Sequence, residues 1–169
     1  MIRKILLAAA VSAFAAVPAS ADPATLLGAF QNWSAYSAGS GSDLTCYALT
    51  PPRASQPKGA KRTPIYLMVS DWPGRKVKAE PQLVLGYPVK ENAPAALAIG
   101  ATKFAFFARG TGSAWLQGLG DNARLIDTLG KGVSAVATGV SARGTKTSDT
   151  YSLAGFPDAL AKIHDVCKM

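Results

Sequence analysis

Residues 133–167 read VSAVATGVSARGTKTSDTYSLAGFPDALAKIHDVC, and this stretch decides the fold. Val133 to Val140 alternates, with Val133, Ala135 and Ala137 on one side and Ser134, Val136 and Thr138 on the other. Thr147, Asp149, Tyr151 and Leu153 alternate in the same way. A period of two marks a strand whose two faces meet different surroundings. Arg143-Gly144-Thr145-Lys146, between the two runs, is a turn. The period then changes. Phe156, Leu160, Ile163 and Cys167 recur at i, i+4, i+7 and i+11, one face of a helix over Pro157 to Cys167. Pro157 falls in the first turn, where its missing N–H costs no hydrogen bond. That face must be buried, and it carries Cys167 inward.

Upstream, the same signals repeat. Leu26 to Ala38 reads as an opening segment and first strand, Gly39 to Asp43 as a turn, and Leu44 to Leu49 as a second strand holding Cys46. Thr50 to Arg62 reads as a loop. Pro64 to Ser70 is dense in β-formers, Asp71 to Glu80 reads as a charged loop turning at Trp72-Pro73-Gly74, and Gln82 to Tyr87 is another strand. Ala95 to Ile99 and Lys103 to Ala108 form a hairpin, followed by a short strand over Ser113 to Gln117. Asp121 to Leu129 is a helix, with Asp121 or Asn122 to cap it and Gly130 to end it. Trp33 and Trp115 fall in strands and are expected in the core. Eight or nine short strands with two helices, near 121–129 and at the C-terminus, predict a mainly β domain. An antiparallel β-sandwich or barrel-like packing is the expected closure.

The first 21 residues have the composition of an export signal. Arg3 and Lys4 precede an uncharged run from Ile5 to Val17, and Ala19-Ser20-Ala21 fits a small-x-small cleavage pattern. The run is too short to span a bilayer, which takes roughly 20 residues. Residues 22–169 are then a single domain, periplasmic or secreted, with no later transmembrane segment. Outside the cytoplasm, the two cysteines of the chain predict one disulfide, Cys46 to Cys167.

The chain holds 18 Lys and Arg against 10 Asp and Glu, a net charge of +8; removing Arg3 and Lys4 leaves +6. Basic residues crowd two segments, Arg53, Lys58, Lys61 and Arg62 in one and Arg75, Lys76 and Lys78 in the other. Trp72 lies beside the second. Such an excess attracts anions in a salt-dependent way. In an exported protein the candidates are lipopolysaccharide, anionic lipid, acidic glycan or another envelope protein, and nucleic acid is excluded by compartment. A solvated basic face is the plainer alternative.

Patterns associated with catalysis fall short of what their chemistry needs. Gly118-Leu119-Gly120-Asp121-Asn122-Ala123 fits a dinucleotide fingerprint, but it lacks a βαβ setting and an acidic ribose partner. Ser55-Gln56-Pro57-Lys58 fits S-x-x-K, but Pro57 and Gly59 oppose the helix that would bring Lys to Ser. His164 is the single histidine, and its neighbour Asp165 points about 100° away on a helix, so the two form no dyad. No catalytic residue, metal ligand or cofactor site is expected, and the expectation is a protein that is not an enzyme. Asn32-Trp33-Ser34 is a sequon that an exported bacterial protein does not use.

Several stretches together resemble a known family. They are Trp33-Ser34-Ala35-Tyr36, Cys46-Tyr47-Ala48, Pro57-Lys58-Gly59, Ile65 to Val69 and Gly86-Tyr87-Pro88. The most specific block runs from Gly139-Val140-Ser141-Ala142-Arg143-Gly144-Thr145 to Asp149-Thr150-Tyr151-Ser152-Leu153-Ala154-Gly155-Phe156. Their order and spacing resemble the invasion-associated locus B family of exported alphaproteobacterial proteins, over almost all of residues 22–169. The resemblance implies a periplasmic or envelope protein and brings no catalytic residues with it. The expected function is a non-catalytic envelope binding or adaptor domain whose basic loops meet an anionic partner. A small periplasmic hydrolase with an unrecognised site, or a structural envelope protein, is the alternative.

Overall fold

A computed structural model describes residues 23–90, 93–109 and 112–169; the export segment 1–21 lies outside the described residues. The C-terminal hairpin forms as its alternation requires. Strands β10 (Ser134–Val140) and β11 (Lys146–Ser152) pair antiparallel from Ser134 opposite Ser152 to Val140 opposite Lys146. Ala135, Ala137, Thr147, Asp149 and Tyr151 face inward and are buried.

The remaining strands are β1 (Thr25–Phe30), β2 (Trp33–Ala38), β3 (Thr45–Thr50), β4 (Ala54–Gln56), β5 (Tyr66–Trp72) and β6 (Val77–Val84). β7 (Pro94–Ile99), β8 (Thr102–Arg109) and β9 (Ser113–Leu116) follow before the β10–β11 hairpin. All eleven belong to one antiparallel sheet in the order β1-β2-β3-β5-β6-β9-β8-β7-β10-β11-β4. The mainly β expectation holds, but neither a two-sheet sandwich nor a closed barrel forms. No ladder joins the edge strands β1 and β4.

The sheet nevertheless coils until its two halves touch. The Trp33 indole N–H of β2 donates to the Ser152 carbonyl of β11 at 3.1 Å, and the Asn32 amide donates to the Ala154 carbonyl. The segment between β3 and β5 crosses this seam: β4 pairs with β11, and the chain then returns to β5. A right-handed twist accumulated over many strands brings edges together in this way.

Three segments differ from the sequence reading. Leu26 to Ala38 is a hairpin of two strands, because Gln31 (φ 53°) turns the chain. Thr50 to Arg62 contains β4, whose three residues are too few to show a period. Asp71 to Glu80 is mostly strand, with one tight turn over Pro73–Arg75. Its charges misled because a buried partner and a bulge, not solvent, accommodate Asp71.

Helix α1 (Asn122–Lys131) buries Leu125 and Leu129. Gly130 lies inside it, and the Asp121 carboxylate accepts from Arg124 (2.7 Å) rather than capping the first turn. Helix α2 (Phe156–Cys167) lies across the inner side of β1, β2, β3 and β5. Its buried residues are Phe156, Ala159, Ile163 and Cys167, with Leu160 at the margin. Phe156 packs on the Trp33 ring, with centroids 4.9 Å apart. Phe156 and Ile163, both fully buried, each contribute about 1.5–3 kcal/mol by leaving water.

Gly155 sets the entry angle of α2. It has φ +93°, and a Cβ there would lie 1.9 Å from the Phe30 carbonyl oxygen. Only glycine fits, since the position combines left-handed backbone with contact between two chains of backbone. Cys46 on β3 and Cys167 on α2 form the expected disulfide, closing a sequence separation of 121 residues.

Candidate functional site

The basic residues do not gather in one place. Arg53, Lys58 and Lys61 are exposed on the segment around β4, before β5 begins. Trp72 ends β5, Arg75 and Lys76 lie in the turn after it, and Lys78 is near the start of β6. Seven residues of strand separate the two groups by roughly 20 Å.

Arg62 departs from both. Its side chain is 5% exposed and turned inward to the Asp149 carboxylate, which is fully buried. The pair is bidentate, Nη1 to Oδ1 at 3.0 Å and Nη2 to Oδ2, the strongest geometry available to a guanidinium. Arg62 also lies over the Tyr87 ring at 5.2 Å. The Tyr87 hydroxyl shares a hydrogen bond of 2.6 Å with Thr147 Oγ1, above Gly139, where a Cβ would lie 2.6 Å from that hydroxyl. Arg62 is therefore a clasp from the β4–β5 segment to β11, and it is withdrawn from any partner at the surface. Asp149 is the residue that the sequence reading passed over. It sits in the inward-facing register of β11, where an acid needs a cation, and that mismatch was the available signal.

Tyr151 adjoins the same cluster. Burial first, and then the Asp149 carboxylate, push its phenol far above the ordinary value, partly opposed by Arg62. Burial also raises Tyr87. A phenol whose folded pKa lies above its unfolded value of about 10 leaves stability intact below that pH. As pH rises past it, the unfolded chain releases protons that the folded chain keeps, so stability falls. In an alkaline titration followed by phenolate absorbance, Tyr151 should ionise only as the circular dichroism collapses. Reversible ionisation of all tyrosines near pH 10 with the fold intact would contradict this.

Trp72 is half-buried, its Nε1 is enclosed, and the Arg75 guanidinium covers its ring at 4.1 Å. It is a support for Arg75 rather than a free anchor. Trp33 is fully buried, as expected of a core residue, whereas Trp115 sits half-exposed on the outer side of β9. Strand position alone could not tell these faces apart.

His164 has a partner that its neighbours in sequence did not reveal. Its Nδ1 lies 2.6 Å from Asp71 Oδ2, while Asp71 Oδ1 accepts the Ala79 amide at 2.8 Å. Asp71 pairs across the ladder with Cys46, and His164 lies one turn before Cys167. The imidazole, the carboxylate and the disulfide thus form one junction between α2 and the sheet. Both sulfurs are committed to each other, and His164 makes no hydrogen bond to a hydroxyl among the described residues. The geometry positions a helix. Among the described residues no group of three or more His, Cys, Asp or Glu could hold a metal.

The fingerprint at residues 118–123 is a turn running into α1 within an antiparallel sheet. The S-x-x-K residues Ser55 and Lys58 straddle the end of extended β4. Neither has the backbone its chemistry needs.

A surface cleft of about 430 Å³ lies at the seam, lined by Asn32, Arg53, Val133, Thr150, Tyr151 and Ser152 among others. Val133 is 85% exposed. Arg53 is held there by its own amide, which donates to the Thr150 carbonyl at 2.7 Å, and its guanidinium has no ion-pair partner among the described residues.

These features define a class of protein: a coiled, open antiparallel sheet with a C-terminal helix bonded by a disulfide to its inner side. The fold matches the crystal structure of invasion associated protein b from Bartonella henselae, with a TM-score of 0.58 over 84% of this chain and 98% of that one. The two sequences are 13% identical, so the likeness is one of fold. No protein-family model and no curated protein sequence matches the chain. No helix among the described residues is long and apolar enough to cross a membrane.

Proposed function

We propose that the chain is a non-catalytic domain of the cell envelope that holds an anionic partner through its exposed cations, as a relative of the invasion-associated locus B proteins. The observation that carries this reading is how the charges are matched. Three acids at or on the helices are paired with cations, Asp121 with Arg124, Asp127 with Lys131 and Asp165 with Lys168, while exposed Asp43 and Asp158 have no ion-pair partner among the described residues. The strand acids Asp71 and Asp149 are turned inward. Arg53, Lys58, Lys61, Lys76 and Lys78 are left exposed without ion-pair partners among the described residues. A periplasmic or secreted location is supported by the disulfide, which persists in oxidising compartments, and by the fold shared with the Bartonella protein.

The test is binding to lipopolysaccharide, anionic lipid and heparin over a salt series. Affinity should fall steeply with salt, because exposed charges are screened within about 10 Å at 0.1 M. Replacing Lys58, Lys61, Lys76 and Lys78 with glutamine should remove most of it. Affinity indifferent to salt and to these substitutions would refute the reading.

A further inference from the structure

We propose that the outer face of the sheet, from β3 through β5, β6 and β9 to β8, docks on the headgroup layer of an anionic phospholipid bilayer; this deepens, and rests on, the anionic-partner reading. Both helices lie on the inner side of the sheet: Cys167 of α2 is bonded to inward-facing Cys46, and Leu125 and Leu129 of α1 belong to the core. Among the described residues, neither helix covers the outer side.

That side carries a cross-strand row. Leu49 lies opposite Met68, Met68 opposite Gln82, Gln82 opposite Trp115 and Trp115 opposite Phe107. The row crosses five strands, about 19 Å at the usual strand spacing. Tyr36 and Tyr47, opposite each other on β2 and β3, stack beside it with centroids 5.4 Å apart. Leu49, Met68, Trp115, Phe107, Tyr36 and Tyr47 all retain solvent exposure. The solvent face of an antiparallel sheet is normally polar, so a row of partly exposed Leu49, Met68, Trp115 and Phe107, interrupted by Gln82 alone, marks an interaction surface.

Charge complementarity identifies the occupant. The described strand acids are Asp71, Glu80 and Asp149, and two of the three face inward. Glu80 alone remains outside, with Arg75 at 4.0 Å. By register Lys103 and Lys146 lie on the outer side, and both are exposed. Exposed Lys58 and Lys61 stand before one end of β5, and Arg75, Lys76 and Lys78 beyond the other. A row of Tyr, Trp, Phe, Met and Leu framed by cations matches acyl chains and phosphates at a bilayer interface. A glycan would stack on the rings but would need hydroxyl acceptors, and the row offers one amide, Gln82, between Met68 and Trp115.

The experiment uses vesicles of equal parts phosphatidylglycerol and phosphatidylcholine, and pure phosphatidylcholine vesicles, each prepared with and without bromines on the upper acyl chain. Sedimentation with the anionic vesicles and bromine quenching of tryptophan emission are expected. Trp33 is fully buried and Trp72 is covered by Arg75, so Trp115→Phe should keep binding and lose most of the quenching. Met68→Glu, checked for unchanged circular dichroism, should weaken partitioning by about tenfold. Sedimentation without quenching, or heparin binding without vesicle binding, overturns the docking face and leaves the anionic-partner reading standing. Failure to bind vesicles, lipopolysaccharide and heparin alike overturns both.

Discussion

Arg62→Ala is expected to destabilise the protein by about 3–5 kcal/mol, the effect of stranding one member of a buried ion pair. The carboxylate left behind, Asp149, is fully buried, and among the described residues the guanidinium supplies both of the side-chain hydrogen bonds that its oxygens receive. The midpoint of denaturant unfolding should fall with little change in slope, since the surface exposed on unfolding is nearly the same. Thermal unfolding should drop by roughly 10 °C. Lys61→Ala, one residue away and exposed, should stay within about 0.5 kcal/mol. The contrast separates a buried clasp from a member of a basic surface. Replacing both partners by apolar residues, Arg62→Met with Asp149→Leu, should recover most of the loss, because the pair's attraction largely offsets its own desolvation. Equal effects of Arg62→Ala and Lys61→Ala would show that Arg62 is not the clasp.

Removing the disulfide is the second large effect. Cys46→Ala with Cys167→Ala should cost about 2–5 kcal/mol. Closing a loop of this length sets an entropic value of about 4–5 kcal/mol at the upper end. The folded state should persist, because α2 keeps its buried face of Phe156, Ala159 and Ile163 and the contact from His164 to Asp71. Near-ultraviolet circular dichroism should therefore be retained at low denaturant and lost at a lower midpoint. Thiol titration of the unreduced wild-type protein in denaturant should find none free; two reactive thiols would contradict the bridge. Because the same junction holds His164 and Asp71, substitutions at Asp71 and at the cysteines should not be additive.

Both expectations depend on different amounts of information in the chain. The disulfide was legible because two cysteines allow one pairing and the compartment favours it. The C-terminal helix was legible from apolar spacing, and β10 and β11 from alternation. Trp72 and Trp115 show the limit of such patterns. Each lies in or beside a strand-like run, yet which side of the sheet a residue faces depends on register with neighbours far away in sequence. Asp71 and His164 are 93 residues apart, and Arg62 and Asp149 are 87 apart. Nothing local announces either pair.

The sequence by itself determined the compartment expectation, the antiparallel β class, the final helix and the pairing of its cysteines. These follow from composition and from periods of two and 3.6, which are properties of neighbouring residues. The tertiary structure alone decided that the strands form one coiled, open sheet rather than a sandwich or a barrel. It took Arg62 out of the first basic segment as a buried clasp and left the other basic residues of the two segments exposed toward opposite ends of a strand. It also placed an apolar row on the uncovered face. The reason is physical: closure, partner choice and facing are set by accumulated strand twist and by contacts between distant segments, and no short window of residues contains either.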